Sequence, residues 1–368
     1  MLNIHSCLER QKRLLSAMEQ AHLDFVVLGY AKSVYYFTGA PVDASRPQVF
    51  AMDASGRSLL ITNREPDQSA AGETKVYTAY TIERPFGRTS MNDEAAGFLR
   101  SFAPSTAGST GIDSEHLNAA LAAAAGGRTQ RNISPLLEQI RRRKDPDELE
   151  CIRSAISLAE AGYKAIKARL ELGMTEFEAY SIIHEAMVRT AGTAVDLGGD
   201  FACGERGIKA GGPPTDRKVL AGDLYIFDLF PTRNGYSCDL CRTFAVGKPT
   251  ELQQRAWSHV MEAHRIAERA IRPGARGRDV YEAIRRHMEA FEPARGSFYH
   301  HAGHGLGMDA WERPWLTPGS EDIIEEGDVV ACEPGLYGEN LQGGIRLEHN
   351  YLVGKSSAVP LDTFPMEL

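Results

Sequence analysis

Apolar residues recur along this chain in two rhythms. Spacings of three and four mark helices, whereas compact runs and alternations mark strands. Behind Ser6, the residues Leu8, Leu14, Leu15 and Met18 share a helical face, and Ser6 with Glu9 reads as a capping box. Residues 24–29 and 33–37 read as short buried strands, and residues 48–52, 58–61 and 75–80 as further ones. Helical spacing returns at 92–102 and 114–125, with 111–113 as a strand between them. This alternation predicts an α/β domain around a central sheet. Residues 135–144 read as a connection whose four basic residues, 141–144, form a solvated face. The expected boundary lies near residue 140, dividing the chain into 1–140 and 141–368.

The second part opens with a strong helix start. Asp145 is the cap, Pro146 takes the first position and Glu148 lies three after the cap. Leu149, Ile152, Ile156, Ala159, Tyr163 and Ile166 continue its apolar face. Further helices are predicted at 175–190, where Thr175 pairs with Glu178, and at 250–271 and 279–291. Strands lie between and after them, so this part reads as α+β.

Composition narrows the classes. The chain has 368 residues, 43% hydrophobic and 24% charged, with a net charge of −8. That length suggests two domains. The acidic balance, without a basic patch, argues against a nucleic-acid partner. No apolar run reaches the length of a membrane span. Six cysteines without a secretory leader read as reduced thiols of a cytoplasmic protein.

Candidate chemistry begins in residues 222–244, GDLYIFDLFPTRNGYSCDLCRTF. Asn234-Gly235 is the strongest short hairpin signal, since a type I′ turn needs positive φ at both central residues. With that turn, facing residues place Asp239 opposite Phe230 and Asp228 opposite Cys241. Asp228 and Asp239 then become diagonal neighbours on one sheet face, both in mid-strand. Two such charges in an apolar sheet require a proton or a cation. Cys238-x-x-Cys241 resembles a metal or redox pair, but positions three apart on a strand point to opposite faces.

Three later residues join these two. His304 lies in HHAGHGLG (300–307), where glycines let the backbone approach a neighbour closely. Glu333 ends an apolar strand just before Pro334-Gly335. Glu348 lies in GIRLE (344–348), where Arg346 would share its strand face. Each taken alone suits a structural role.

Together, IFDLF, SCDLCRTF, GHGLG, CEPGLY and GIRLEHN resemble the M24 peptidase family, which includes methionine aminopeptidase, aminopeptidase P, prolidase and creatinase. The YYFTGA stretch and the linker before the DPDE helix extend the resemblance over nearly the whole chain. The resemblance implies a C-terminal pita-bread fold preceded by a creatinase-type N-terminal domain. It implies that Asp228, Asp239, His304, Glu333 and Glu348 hold two divalent ions. Asp239 and Glu348 would bridge them, Asp228 would hold one, and His304 with Glu333 the other. This oxygen-rich set suits manganese, cobalt, iron or zinc. Glu333 would also move a proton, His300 would lie beside the substrate and Arg346 near the site. A homodimer acting on a small molecule or short peptide is implied as well.

Two positions depart from the family. Gly211 stands where most hydrolytic members keep a histidine before Gly-x-Pro, and Trp311 stands where they keep one seven residues after the metal histidine. Indole donates an N–H but cannot accept a proton. Gly211 is expected to empty volume near the site and Trp311 to wall part of it, with Lys209, Arg206 or His301 as substitute cations. Three readings follow: a hydrolase of a small amide or Xaa-Pro-like substrate, a metalloenzyme repurposed for lyase-type or oxidative chemistry, and a non-catalytic binding module. The five ligands and the missing basic patch disfavour the last.

Overall fold

Phe25–Leu28 (β1) is buried at every position and runs through the middle of the first sheet. The computed structural model describes residues 1–41, 43, 45–83 and 87–368, with side chains for all of these except 88–90. The chain divides into two compact units, Met1–Arg141 and Arg142–Leu368.

In the first unit the helix α1 (Ile4–Gln20) precedes β1, and α2 (Ala31–Thr38) follows it. Then come β2 (Val49–Asp53), β3 (Ser58–Thr62), β4 (Glu73–Val76), α3 (Arg88–Phe102), β5 (Ser109–Ile112), α4 (Ala119–Ala125), β6 (Thr129–Asn132) and α5 (Ser134–Arg142). The strands form one sheet in the order β4-β3-β2-β1-β5-β6. β1 and β3 run antiparallel to β2, and the outer pairs are parallel. Phe25 and Val27 of β1 pack with Ala95 and Leu99 of α3 and Leu121 of α4. Such apolar burial is the main stabilising term, about 25 cal/mol per Å².

Four local expectations are corrected. The cap of α1 is Asn3, whose side chain accepts from His5 N at 2.8 Å, and Ser6 lies inside the helix. Residues 33–37 are helical within α2, not a strand. Every side chain from Ser33 to Thr38 is buried, so no polar face reveals the helical period. Asp113 accepts from Gly29 N and Tyr30 N ahead of α2, and Gly39 closes it at φ 71°. The strand expected at 75–80 is β4, which ends at Val76. Residues 134–142 form α5 rather than a connection, and Arg142 and Lys144 are buried rather than solvated. Arg142 Nη2 lies 2.6 Å from Asp328, and Lys144 Nζ lies 2.8 Å from Glu312. The edge strand β6 is exposed and polar throughout, which is why no apolar pattern marks it.

The second unit begins with α6 (Pro146–Arg169) and α7 (Glu176–Ala191), each with its expected capping box. β7 (Asp196–Cys203), β8 (Leu224–Arg233), β9 (Tyr236–Ser237) and β10 (Leu240–Ala245) follow, then α8 (Glu251–Ala270) and α9 (Gly277–Met288). The remaining strands are β11 (Gly303–Gly305), β12 (Glu312–Leu316), β13 (Val329–Cys332), β14 (Gly335–Gly338), β15 (Gly343–Arg346), β16 (His349–Val353) and β17 (Ala358–Pro360). They form sheets β10-β8-β7 with β9 on β8, β12-β11-β13-β16-β17, and β14-β15, the pairs all antiparallel. α8 and α9 pack over the second sheet through Val260, Ala263 and Ile284 against Val330 and Tyr351. Helices thus lie to one side of antiparallel strands, the expected α+β pita-bread unit after an α/β domain. Among the described residues no helix is long and apolar enough to cross a membrane. All six cysteines are buried free thiols.

Candidate metal centre

Asn234 and Gly235 turn the central hairpin at φ 50° and 76°, the positive values that a type I′ turn requires. The register follows: Arg233 pairs with Tyr236, Leu229 with Leu240 and Asp228 with Cys241. Asp239 departs from the mid-strand expectation, lying in the break between β9 and β10. Its peptide unit is taken instead by Asn350 of β16. Asp239 N donates to Asn350 Oδ1 at 3.1 Å, and Asn350 Nδ2 donates back to Asp239 O.

His304 reaches the same place from β11, paired with Trp315 on one side and Ala331 on the other. The flanking glycines serve strand approach. A Cβ on Gly303 would stand 1.9 Å from Ala331 O, and one on Gly305 would stand 2.0 Å from Arg313 O. His304 Nδ1–H donates to Gly305 O at 3.0 Å, which leaves Nε2 with its lone pair turned inward. Nε2 lies 3.6 Å from Asp239 Oδ2 and 3.6 Å from Glu333 Oε1. Glu333 directly follows β13, and its N–H donates to Ala302 O. Glu348 occupies the step between β15 and β16 rather than a strand, and its N–H donates to Cys241 O.

Ligand atoms of Asp239, His304 and Glu348 all lie within 4.8 Å of one another. Asp228 Oδ1, Asp239 Oδ1 and both Glu348 oxygens are buried with no hydrogen-bond partner. Native interiors rarely leave such atoms unpaired. Burial pushes the carboxyls of Asp228, Asp239 and Glu348 upward, and repulsion from neighbouring acids adds to it, from Asp228 and Glu333 at Asp239 and Glu348, and from Asp200 and Glu333 at Asp228, where Arg346 opposes it. Glu333 differs: burial opposes its charge, but the neighbouring imidazole of His301, then His300 and Arg346, hold it low. Four acids and one imidazole with open lone pairs fit hard or borderline divalent cations.

Around this cluster, Arg346 Nη2 donates to Asp228 Oδ2 and to Asp200 Oδ2, each at 2.6 Å, and Nη1 donates to Ala210 O. His301 Nδ1 stands 3.2 Å from Glu333 Oε1, an ion-pair distance without hydrogen-bond geometry. His300 is tied within the protein: Nδ1–H donates to His301 O at 2.7 Å, and Nε2 accepts from the Tyr337 hydroxyl at 2.8 Å. Burial lowers its pKa to about 4, so it is a neutral imidazole. Trp311 is 67% exposed, its ring centre 6.1 Å from that of His304, so it borders the cluster rather than filling it. Arg206 turns away to Glu176, and Lys209 is exposed.

The space at Gly211 is not empty. A Cβ there would stand 2.3 Å from both Cγ and Oδ2 of Asp200, and its φ is 152°. Asp200 carries no motif, so only the fold reveals it. The frame residues were equally hidden. Arg242 is fully buried and donates to Glu348 O, Cys241 O and Asp362, while His264 Nε2–H donates to Leu347 O between Arg346 and Glu348. An arginine buried completely in a strand was the available signal, had its burial been readable.

Comparison with known proteins identifies the family of the chain. Residues 150–355 match the model of metallopeptidase family M24, and residues 10–143 match the creatinase/prolidase N-terminal domain. The chain belongs to metallopeptidase family M24, whose members use divalent metal ions, and it is a metal-dependent hydrolase of that type. It is 26% identical to an Xaa-Pro dipeptidase of Pyrococcus furiosus over 361 residues, covering 98% of this chain and 99% of that one. It is 30% identical to the putative dipeptidase YkvY of Bacillus subtilis over 246 residues, 67% of each chain. The solved prolidase of Pyrococcus horikoshii superposes with a TM-score of 0.83 at 23% identity, over 98% of this chain and 99% of that chain, and so shares the fold.

Proposed function

We propose that the chain is a dinuclear metal hydrolase acting on a small amide or Xaa-Pro-like dipeptide. The observation that carries this is the set of buried, unpartnered carboxylate oxygens on Asp228, Asp239 and Glu348. Asp228, Asp239, His304, Glu333 and Glu348 hold the ions, drawn from manganese, cobalt, iron or zinc. Two such ions lower the pKa of a water and polarise a carbonyl. The residues do the rest. Glu333, kept ionised by His301, takes the proton of the attacking water and delivers it to the leaving nitrogen. Arg346 orients Asp228. His300 acts by holding Tyr337, since both of its nitrogens are engaged.

A second reading draws on Gly211 and Trp311. Without imidazoles at those positions, stabilisation of the tetrahedral intermediate is weakened. Acid–base contributions of this kind amount to roughly 10²–10⁴-fold each. A repurposed metalloenzyme with a non-peptide substrate fits that loss.

Metal analysis of protein purified without chelator, with turnover of Xaa-Pro dipeptides in Mn²⁺ or Co²⁺, tests both. About two bound equivalents and turnover abolished in Glu333→Gln support hydrolysis. Full metal with no turnover moves the case to the repurposed enzyme. Less than about one equivalent, with no affinity on titration, sinks the metal centre. The proposal includes a cytoplasmic homodimer paired through the N-terminal unit, which sedimentation of the whole chain against Arg142–Leu368 tests.

A further inference from the structure

Past β17 the chain runs on as an irregular tail, residues 361–368, bound to the second unit by polar contacts. Thr363 N and Phe364 N donate to Glu160 of α6 at 2.7 and 3.0 Å, and the Trp257 indole of α8 donates to Met366 O at 2.6 Å. Within this tail Asp362 turns inward. It is 4% exposed, and a buried carboxylate is costly unless donors surround it. Oδ1 accepts from Arg242 Nη2 at 2.7 Å and from His349 Nδ1–H at 2.8 Å, and Oδ2 accepts from Asn350 N at 3.1 Å.

Arg242 and Asn350 lead from this carboxylate to the acid cluster. A guanidinium presents five N–H groups in a rigid fork. Arg242 spends three of them on the tail, at Asp362, Phe364 O and Pro365 O, and two on Cys241 O and Glu348 O. Glu348 is thus fixed by a cation whose far side Asp362 fixes. Asn350 grips the Asp239 peptide with its side chain, while its own backbone N–H is taken by Asp362. Asp239 and Glu348, whose ligand atoms lie with that of His304 within 4.8 Å of one another, therefore rest at one remove on the same carboxylate.

We propose that Asp362 is a positioning residue for the metal centre, holding Glu348 through Arg242 and Asp239 through Asn350 at the mutual distance that shared ions require. The inference rests on the metal centre of the hydrolase reading, but it concerns retention of ions and not turnover. Loss of such an outer partner weakens metal binding by roughly 10–100-fold. Asparagine at 362 keeps the volume but has a single acceptor oxygen, so its amide N–H groups meet a donor on whichever side they face. Both acids lose support together, so both ions should loosen together.

The test is titration of the whole chain with Mn²⁺, free ion being counted by electron paramagnetic resonance, beside urea unfolding of the same preparations. Asp362→Asn should raise the Kd of both ions by roughly 10–100-fold. Asp362→Glu, which keeps the anion, should stay within about threefold of wild type. Ile183→Val, at the buried packing of α7 on α6, should lose stability and keep its Kd, because a merely structural residue does not alter the affinity of molecules that remain folded. The proposal is overturned if Asp362→Asn binds Mn²⁺ as wild type does, or if Ile183→Val weakens binding as much. If Asp362→Asn does not fold, Trp257→Phe decides: it frees Met366 O and should raise Kd about threefold, and an unchanged Kd overturns the proposal. Wild type without affinity for Mn²⁺ overturns it together with the metal centre. Cleavage of Xaa-Pro dipeptides is followed separately at saturating Mn²⁺. A shifted Kd in a chain that cleaves nothing would refute the hydrolase reading and leave this one standing; cleavage with an unshifted Kd would do the reverse.

Discussion

Asp200 faces Asp228 across neighbouring antiparallel strands, and a single guanidinium nitrogen of Arg346 lies 2.6 Å from a carboxylate oxygen of each. One acid of this pair points into the candidate metal cluster. The other blocks the position at which a histidine would have entered it.

Gly211→Ala should therefore lower stability by about 1–3 kcal/mol, through collision with Asp200 and an unfavourable positive φ. Asp200→Ala should recover most of that loss. A double-mutant cycle in urea measures the coupling. Simple additivity would mean that the two residues do not compete for space. By the same argument, Gly211→His with Trp311→His should raise Xaa-Pro cleavage only when Asp200 is also cut to Ala.

Metal removal should expose the strain of the acid cluster. Chelation is expected to lower the thermal midpoint, and readded Mn²⁺ or Co²⁺ to restore it, with about 2.7 kcal/mol gained at a hundredfold excess over Kd. Glu348→Gln should behave oppositely. Freed of one buried charge, the apo variant should be about 1–3 kcal/mol more stable than apo wild type, and metal should no longer shift its midpoint. Equal apo stabilities would show that Glu348 is already relieved by another partner.

Asn350 holds both polar groups of the Asp239 peptide. Asn350→Ala should destabilise the fold by about 2 kcal/mol. It should also weaken metal binding by roughly 10–100-fold, as loss of an outer partner commonly does. Metal titration of the folded variant reads the second effect apart from the first. An unchanged Kd would confine Asn350 to stability.

His264 sets a pH dependence. Burial first, then the nearby His349, lower its pKa from 6.5 to about 3, and the fold binds it as the neutral ring between Leu347 O and the Tyr351 hydroxyl. Its folded pKa is below the unfolded value. The contribution is therefore complete above pH 6.5 and is lost as pH falls from 6.5 toward 3. The slope is about 1.4 kcal/mol per pH unit, or about 2 kcal/mol by pH 5. Urea unfolding at several pH values should show His264→Gln flatter than wild type across that window. Parallel curves would mean that the ring is already charged or solvated in the folded protein.

The site was legible where local chemistry sets geometry. Asn234-Gly235 admits one turn, and the turn determines which face Asp228 and Asp239 share. Capping boxes at Asp145 and Thr175 placed two helices because cap bonds are local. Residues 33–37 read as a strand because burial on all sides erases the helical period. Arg142 and Lys144 read as solvated in sequence because their acids, Asp328 and Glu312, lie more than 160 residues away. Asp200 was invisible for a similar reason. Its meaning lies in a distance to Gly211, and sequence carries no distances of that kind.

The frame around Glu348 has a consequence for which ion the protein carries. Arg242 holds Glu348 O, and Asn350 holds the Asp239 peptide, through bonds to the protein's own backbone. The socket is thus assembled before any occupant arrives. On the proposed reading its contents would be exchangeable: the ion found in a given preparation would report the growth medium and the affinity order of the divalent metals, and Co²⁺ installed afterwards would serve as a coloured reporter.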